Sequence, residues 1–204
     1  MNFRKLTISF TSALHHGSGY GISGLVDRAV LRDARGVPYL AGSAIKGKLR
    51  HATLRVLLAD GKGACVSGDG DTWCAEPAAC ALCLLFGSPR RQGSLFFCDA
   101  YPTGDAGKLL EELTQLPRLG GLHRDSVTRA RTSMDRKLGT VRPGLLFSTE
   151  ALPGWMAFEA PLSGDFGTHL ELLRRACHLI THFGADSSRG LGECVFSIGE
   201  EVAK

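Results

Sequence analysis

Strict period-two alternation marks two stretches near opposite ends of the sequence. In KLTISF, residues 5–10, Leu6, Ile8 and Phe10 alternate with Lys5, Thr7 and Ser9. In WMAFEAPL, residues 155–162, Met156, Phe158, Ala160 and Leu162 take the alternate positions. Successive side chains of a strand point to opposite faces, so each stretch reads as a strand with one apolar face. Shorter apolar runs at 94–98 (SLFFC), 145–150 (LLFSTE) and 194–198 (CVFSI) read as further strands. The Pro153–Gly154 pair turns the chain between two of them.

Two segments change to helical spacing. Ile45, Leu49, Ala52 and Val56 form one stripe of a helix expected over 44–58, with Ser43 as its N-cap. Leu170, Leu173, Cys177 and Ile180 form the stripe of a second helix expected over 168–183. The order is strand, helix, strand, insertion, strand, helix, strand. That is an α+β arrangement of the split βαβ, ferredoxin-like kind, whose sheet is a common RNA platform. Two aperiodic stretches interrupt it: a loop rich in Gly, Asp and Cys over about 60–90, and a polar, basic segment over about 118–143. A length of 204 residues fits one domain carrying both insertions.

With 44% hydrophobic and 22% charged residues, the chain has enough for a core and is not of disordered composition. No apolar run approaches the roughly 18 residues of a membrane helix. The N-terminus MNFRKLTISF lacks the unbroken apolar stretch of a secretory signal. A soluble, cytoplasmic protein is expected. The net charge of +4 is mild, but it is unevenly spread. Residues 1–60 hold nine Lys and Arg against three Asp and Glu, and residues 146–204 hold four against eight. A basic face and an ordinary solvated surface are equally compatible with that pattern.

Four of the seven cysteines, Cys65, Cys74, Cys80 and Cys83, lie in the aperiodic loop with spacing C-x8-C-x5-C-x2-C. Four thiolates without core residues around them suit a structural zinc ion in a closed tetrahedral site, with His51 or His123 as possible substitutes for one ligand. A closed site leaves no position for water, which argues against a zinc hydrolase. Cys98, Cys177 and Cys194 fall in apolar strands or a helix and read as core fillers.

Three further stretches bear on phosphate chemistry. In GSAIKGKLR, residues 42–50, a helix start with Lys46 and Lys48 beside it forms a phosphate cradle or, equally, a solvated basic helix. In GADSSRGLG, residues 184–192, glycines permit close backbone approach while Ser187, Ser188 and Arg189 supply donors. Asp27 follows the glycine-rich HHGSGYGISG. Near phosphates a carboxylate can hold a divalent cation or help to activate a ribose hydroxyl; a lone aspartate is otherwise a cap or surface residue.

Taken together, LHHGSG, LVDRAVLRD, GVPYLAGSAIKGKLR, LFGSP with SLFFCDA, RTSMDRKLGTVRPGLLFSTE and SSRGLG resemble, in order and over nearly the whole chain, the RAMP superfamily (repeat-associated mysterious proteins). Within it they look like the repeated backbone subunit of type III CRISPR effector complexes of the Csm and Cmr kind. The resemblance implies a subunit that binds guide RNA (crRNA), pairs it with complementary target RNA and assembles with other RAMP subunits. It implies Asp27 as the target-cleaving residue of a metal-dependent endoribonuclease using magnesium or manganese. It puts His15 near RNA, Ser43, Lys46, Lys48 and Arg50 on the helix that tracks the guide, and Arg189 in the glycine-rich loop. Arg129, Arg131, Asp135 and Arg136 fall in a protruding thumb hairpin. The sequence departs from the pattern at His16, where an apolar residue is usual, and its glycine-rich loop is lean in basic residues. A non-catalytic scaffold and a guide-processing nuclease working through His15 or His16 are the alternatives.

Overall fold

Leu6, Ile8 and Phe10 are all but fully buried, while Lys5 and Ser9 on the opposite face are exposed. They belong to strand β1 (Asn2–Phe10), which lies in the interior of an antiparallel sheet. The computed structural model describes residues 2–65, 74 and 79–201. On one side β1 pairs with β6 (Met156–Gly164), matching Leu6 with Ala160, Ile8 with Phe158 and Phe10 with Met156. On the other it pairs with β7 (Cys194–Glu201), matching Leu6 with Ile198 and Ile8 with Phe196. Directly opposed residues share a face, so the registers gather the apolar positions of three strands on one side of the sheet. Two short strands, β2 (Leu95–Phe97) and β3 (Tyr101–Thr103), pair antiparallel with opposite halves of β6. The strand order is β2–β6–β1–β7.

Helix α1 (Gly42–Ala59) buries the expected stripe of Ile45, Leu49, Ala52 and Val56 in the same core. Its cap differs from expectation. Ser43 lies inside the helix and is exposed; the N-cap position is Ala41, which offers no side-chain oxygen. The first amides are satisfied from elsewhere: Ala41 N–H donates to His16 Nε2 at 3.2 Å, and Gly42 N–H donates to Asp99 Oδ1 at 2.8 Å. The polar His16 thereby gains a role, and the ring also packs on Phe183 with centroids 5.3 Å apart.

The second expected helix is shorter than 168–183. A 3-10 turn over Gly167–His169 leads into α4 (Leu170–His178). The helix then tightens, with Leu179 N–H donating to Ala176 O and Ile180 N–H to Cys177 O. Ile180 and Phe183 remain buried beyond its end. Two helices escaped the reading of the sequence: α2 (Ala81–Phe86), which buries Leu82, Cys83, Leu85 and Phe86, and α3 (Gly104–Gln115). Cys177 and Cys194 are buried as expected, whereas Cys98 is exposed. Residues 66–73 and 75–78 of the cysteine-rich insertion lie outside the described residues.

The basic segment forms a two-stranded hairpin separate from the main sheet, β4 (Val127–Asp135) with β5 (Thr140–Ala151). It runs further along the chain than 118–143. LLFSTE is therefore not a strand of the main sheet but half of β5, with Leu145 and Leu146 exposed. Asp135 closes the hairpin by accepting from the amides of Lys137 (2.9 Å) and Leu138 (3.2 Å), and pairs with Arg142 at 3.4 Å.

Candidate nucleic-acid interface

The segment after β1 is held by backbone rather than by regular structure. Leu14 bridges to Leu152 at the end of β5, and residues 15–31 double back so that Leu31 N–H donates to His16 O at 2.8 Å. Asp27 lies on the outward part of this excursion and is exposed. One of its carboxylate oxygens, Oδ2, accepts from Ser148 N–H at 2.7 Å and lies 3.3 Å from the Ser148 hydroxyl. Asp27 N–H and Arg28 N–H in turn donate to Ser148 O. Strand β5 thus carries the aspartate. Its other oxygen, Oδ1, accepts no hydrogen bond from the described residues.

Asp27, Arg28, His15, His16 and Tyr20 line one cleft of about 400 Å³ together with Gly184 and Ala185 of the glycine-rich loop. His15 is buried, and its Nδ1–H donates to Glu150 O at 2.6 Å. Burial, with Arg28 nearby, holds its pKa below the usual imidazole value, so the ring is neutral at pH 7 with Nε2 unprotonated. Two glycines make room for it. A Cβ on Gly17 would sit 2.8 Å from His15 Nε2, and one on Gly184, whose φ is +90°, would sit 2.5 Å from His15 O.

A buried ion cluster supports the cleft from below. Arg32 donates to both oxygens of Asp125 (2.6 and 2.8 Å) and to Glu150 Oε1 (2.8 Å). Glu150 also accepts from Val30 N–H and from Ser126 Oγ–H, and its own N–H donates to Arg28 O. Burial alone would raise the Glu150 pKa; the bonds from Ser126, Val30 and Arg32 outweigh it and lower the pKa below the ordinary glutamate value. The cluster ties the residues flanking Asp27 to the base of the hairpin.

A second ion cluster joins the hairpin to the glycine-rich loop. Asp186 receives Arg131 of β4 at 2.6 Å, Arg28 at 3.1 Å and Arg189 at 3.2 Å. Two residues expected at RNA, Arg131 and Arg189, therefore meet beside the cleft. Arg129 and Arg136 are exposed on the hairpin away from its lining. On α1, Ser43 and Lys48 are exposed and Lys46 and Arg50 half-buried; none lines the cleft, although the helix start is tied to it through His16. At the helix start the Gly42 amide is already taken by Asp99. Arg28, Ser148 and Asp186 were not among the expected site residues. Arg28 adjoins Asp27 in LVDRAVLRD and Asp186 sits within GADSSRGLG, but nothing in the sequence says that they meet.

The sulfur atoms of Cys65, Cys74, Cys80 and Cys83 all lie within 4.8 Å of one another, and the four could hold a metal ion. None is in a disulfide. Cys74 N–H donates to Cys65 Sγ at 3.2 Å and Cys80 N–H to Cys74 Sγ at 3.3 Å. Neither His51 nor His123 belongs to the group. His123 instead packs near Gly36, and His51 is exposed.

The family model of the RAMP superfamily matches residues 7–195. The chain belongs to the RAMP superfamily. No protein of curated function matches this RAMP chain by sequence. Among solved structures, it is similar in fold to a chain of the type III-B Cmr-beta cryo-EM structure in the apo state, at 14% identity and TM-score 0.64. It is similar also to a chain of type III-B Cmr-beta bound to cognate target RNA, at 15% identity and TM-score 0.64. Both alignments cover 96% of each chain. Among the described residues, no helix of the RAMP chain is long and apolar enough to cross a membrane.

Proposed function

We propose that this RAMP protein is a backbone subunit of a cytoplasmic type III CRISPR effector complex, binding guide RNA and cleaving complementary target RNA at Asp27. The observation that carries this reading is the convergence of Asp27, Arg28, His15 and the glycine-rich loop on one open cleft beside a protruding basic hairpin. The fold likeness to chains of type III-B Cmr-beta, one of them in a complex with cognate target RNA, supports the setting. We read the chain as one RAMP domain whose strand order β2–β6–β1–β7 is that of a split βαβ, ferredoxin-like sheet.

In this reading Arg28 and the glycine-rich backbone bring a phosphodiester against Asp27, which is fixed through Oδ2 and open through Oδ1. A single carboxylate suits magnesium or manganese, which take one or two carboxylates and complete their shell with phosphate and water. Such an ion would be held by Asp27 and would supply positive charge at the reacting phosphate. The protein's own contribution is to hold the strand so that a ribose 2′-hydroxyl lies in line with the leaving oxygen. His15 is all but fully buried, which disfavours it as the general acid or base of a guide-processing nuclease, and its Nδ1–H bond to Glu150 O fixes the ring. The four cysteines suit structural zinc, since tetrahedral bonds of about 2.3 Å put the sulfurs about 3.8 Å apart.

One observation favours a second reading. The Asp27 carboxylate accepts from the Ser148 amide, as an aspartate would if its role were only to pin the loop to the hairpin. In that case the protein is a guide-binding scaffold without activity. The test is to purify the protein with its copurifying RNA, add a target complementary to that RNA with magnesium, and look for cleavage at regular intervals. Uniform-length copurifying RNA and regular cleavage support the proposal; bound RNA with an intact target supports the scaffold.

A further inference from the structure

Arg28, Arg131 and Arg189 come from three distant segments: the excursion after β1, the hairpin, and the glycine-rich loop. All three end on one carboxylate, Asp186. One carboxylate cannot neutralise three guanidinium groups, so two positive charges are left over within this cluster. Arg131 and Asp186 are largely enclosed, with side chains 14% and 10% exposed. Arg28 and Arg189 are open, at 40% and 59%. The excess charge therefore faces solvent, and Arg28 lines the cleft that also holds Asp27. Asp186 adopts a left-handed backbone, φ 62° and ψ 28°, a conformation that aspartate and asparagine tolerate better than other non-glycine residues. The loop thus presents an acid to three arginines, one of which, Arg28, lines the cleft together with Asp27.

We infer that Arg28 and Arg189, with Arg131 behind them, form one site for a backbone phosphate of RNA, with Asp186 holding the three guanidiniums together until the phosphate arrives. This rests on the RNA-binding reading above and adds to it a site, its ligand and an internal competitor. A phosphodiester presents two oxygens to guanidinium donors much as a carboxylate does, so it can take over Arg28 and Arg189 while Arg131 keeps Asp186 in place. Asp186 serves two ends in this arrangement. It preorganises the site, and it competes with weakly bound phosphate.

The experiment measures binding of a single-stranded RNA to the full chain by fluorescence anisotropy across a salt series. It then measures binding of complementary RNA to the guide-loaded protein in the same way. Asp186→Asn, which suits the left-handed backbone, should bind RNA more tightly than the parent. It should also steepen the slope of log affinity against log salt by up to about 0.7, the value for one added phosphate contact on a single strand. Arg28→Ala should make the slope shallower by about the same amount. Effects in the first arm assign the phosphate to the guide, and effects in the second arm alone assign it to the target. Should Asp186→Asn destabilise the fold, the Arg28→Ala slope still decides. The inference is overturned if Arg28→Ala leaves the slope unchanged in both arms. It also falls if a folded Asp186→Asn binds more weakly with an unaltered slope, the signature of a structural tie. A parent protein that binds no RNA would remove the functional reading itself, whereas normal parent binding with silent variants removes only this site.

Discussion

Replacing Arg32 by alanine removes the only cation, among the described residues, within hydrogen-bonding distance of two buried carboxylates. In the parent, the Arg32 side chain is 10% exposed, Asp125 is fully enclosed and Glu150 is 2% exposed. The substitution deletes two bonds to Asp125, one to Glu150 and one to Gly36 O. Asp125 keeps Thr114 Oγ–H at 3.0 Å, and Glu150 keeps Ser126 and the Val30 amide. Breaking a buried pair from one side costs about 3–5 kcal/mol, because the surviving charge stays desolvated. The remaining hydrogen bonds place the expected loss toward the lower end, about 3 kcal/mol. For a chain of this length each kcal/mol moves the melting temperature by about 2–4 °C, so Arg32→Ala should melt about 10 °C lower. Thermal unfolding followed by circular dichroism reads this directly, and adding Asp125→Asn should recover part of the loss. A melting temperature within about 2 °C of the parent would refute the assignment of this cluster as the tie between hairpin base and cleft.

The cluster also predicts a pH dependence. The Glu150 pKa is lowered on folding, so its contribution is present above the unfolded glutamate value of about 4.3 and is lost as pH falls through the folded value. The melting temperature should therefore fall on acidification below about pH 4.3 and fall less in Glu150→Gln; a rise on acidification in the parent would contradict this. Cys83→Ser should reduce bound zinc, measured by plasma emission on purified protein, and lower the resistance of residues 60–90 to proteolysis, while metal-free parent protein would exclude the zinc site. Lys46→Ala and Lys48→Ala should weaken RNA binding equally for all sequences and flatten its salt dependence, and a change of sequence preference would argue against backbone contact.

What could be read from the sequence follows how local the cause is. The strands β1 and β6 are visible because burial on one face forces period two into Leu6–Phe10 and Met156–Leu162. The stripe of α1 is visible for the same reason. Helix α3 is not, because only Leu110, with Gly107 and Thr114, faces inward and Leu109 is 56% exposed. The cap of α1 was misread because Asp99, 57 residues from Gly42, supplies what Ser43 was expected to give. The end of α4 was overrun because Ile180 and Phe183 keep an apolar spacing after the backbone has left the helix. At the site, Asp27, His15, Arg131 and Arg189 stand out through local motifs. Asp186 and Ser148 do not, since each matters only through residues that the tertiary fold brings to it.

The most direct test of the central claim is target cleavage by the guide-loaded protein with Asp27→Ala against the parent and His15→Ala. Loss of a charge stabiliser at the reacting phosphate should slow cutting at least ~100-fold. Guide binding, target binding and melting temperature should stay close to those of the parent, and chelator should stop the parent's activity. Cutting by Asp27→Ala at the parent's rate would contradict the account, as would metal-independent cutting abolished by His15→Ala alone.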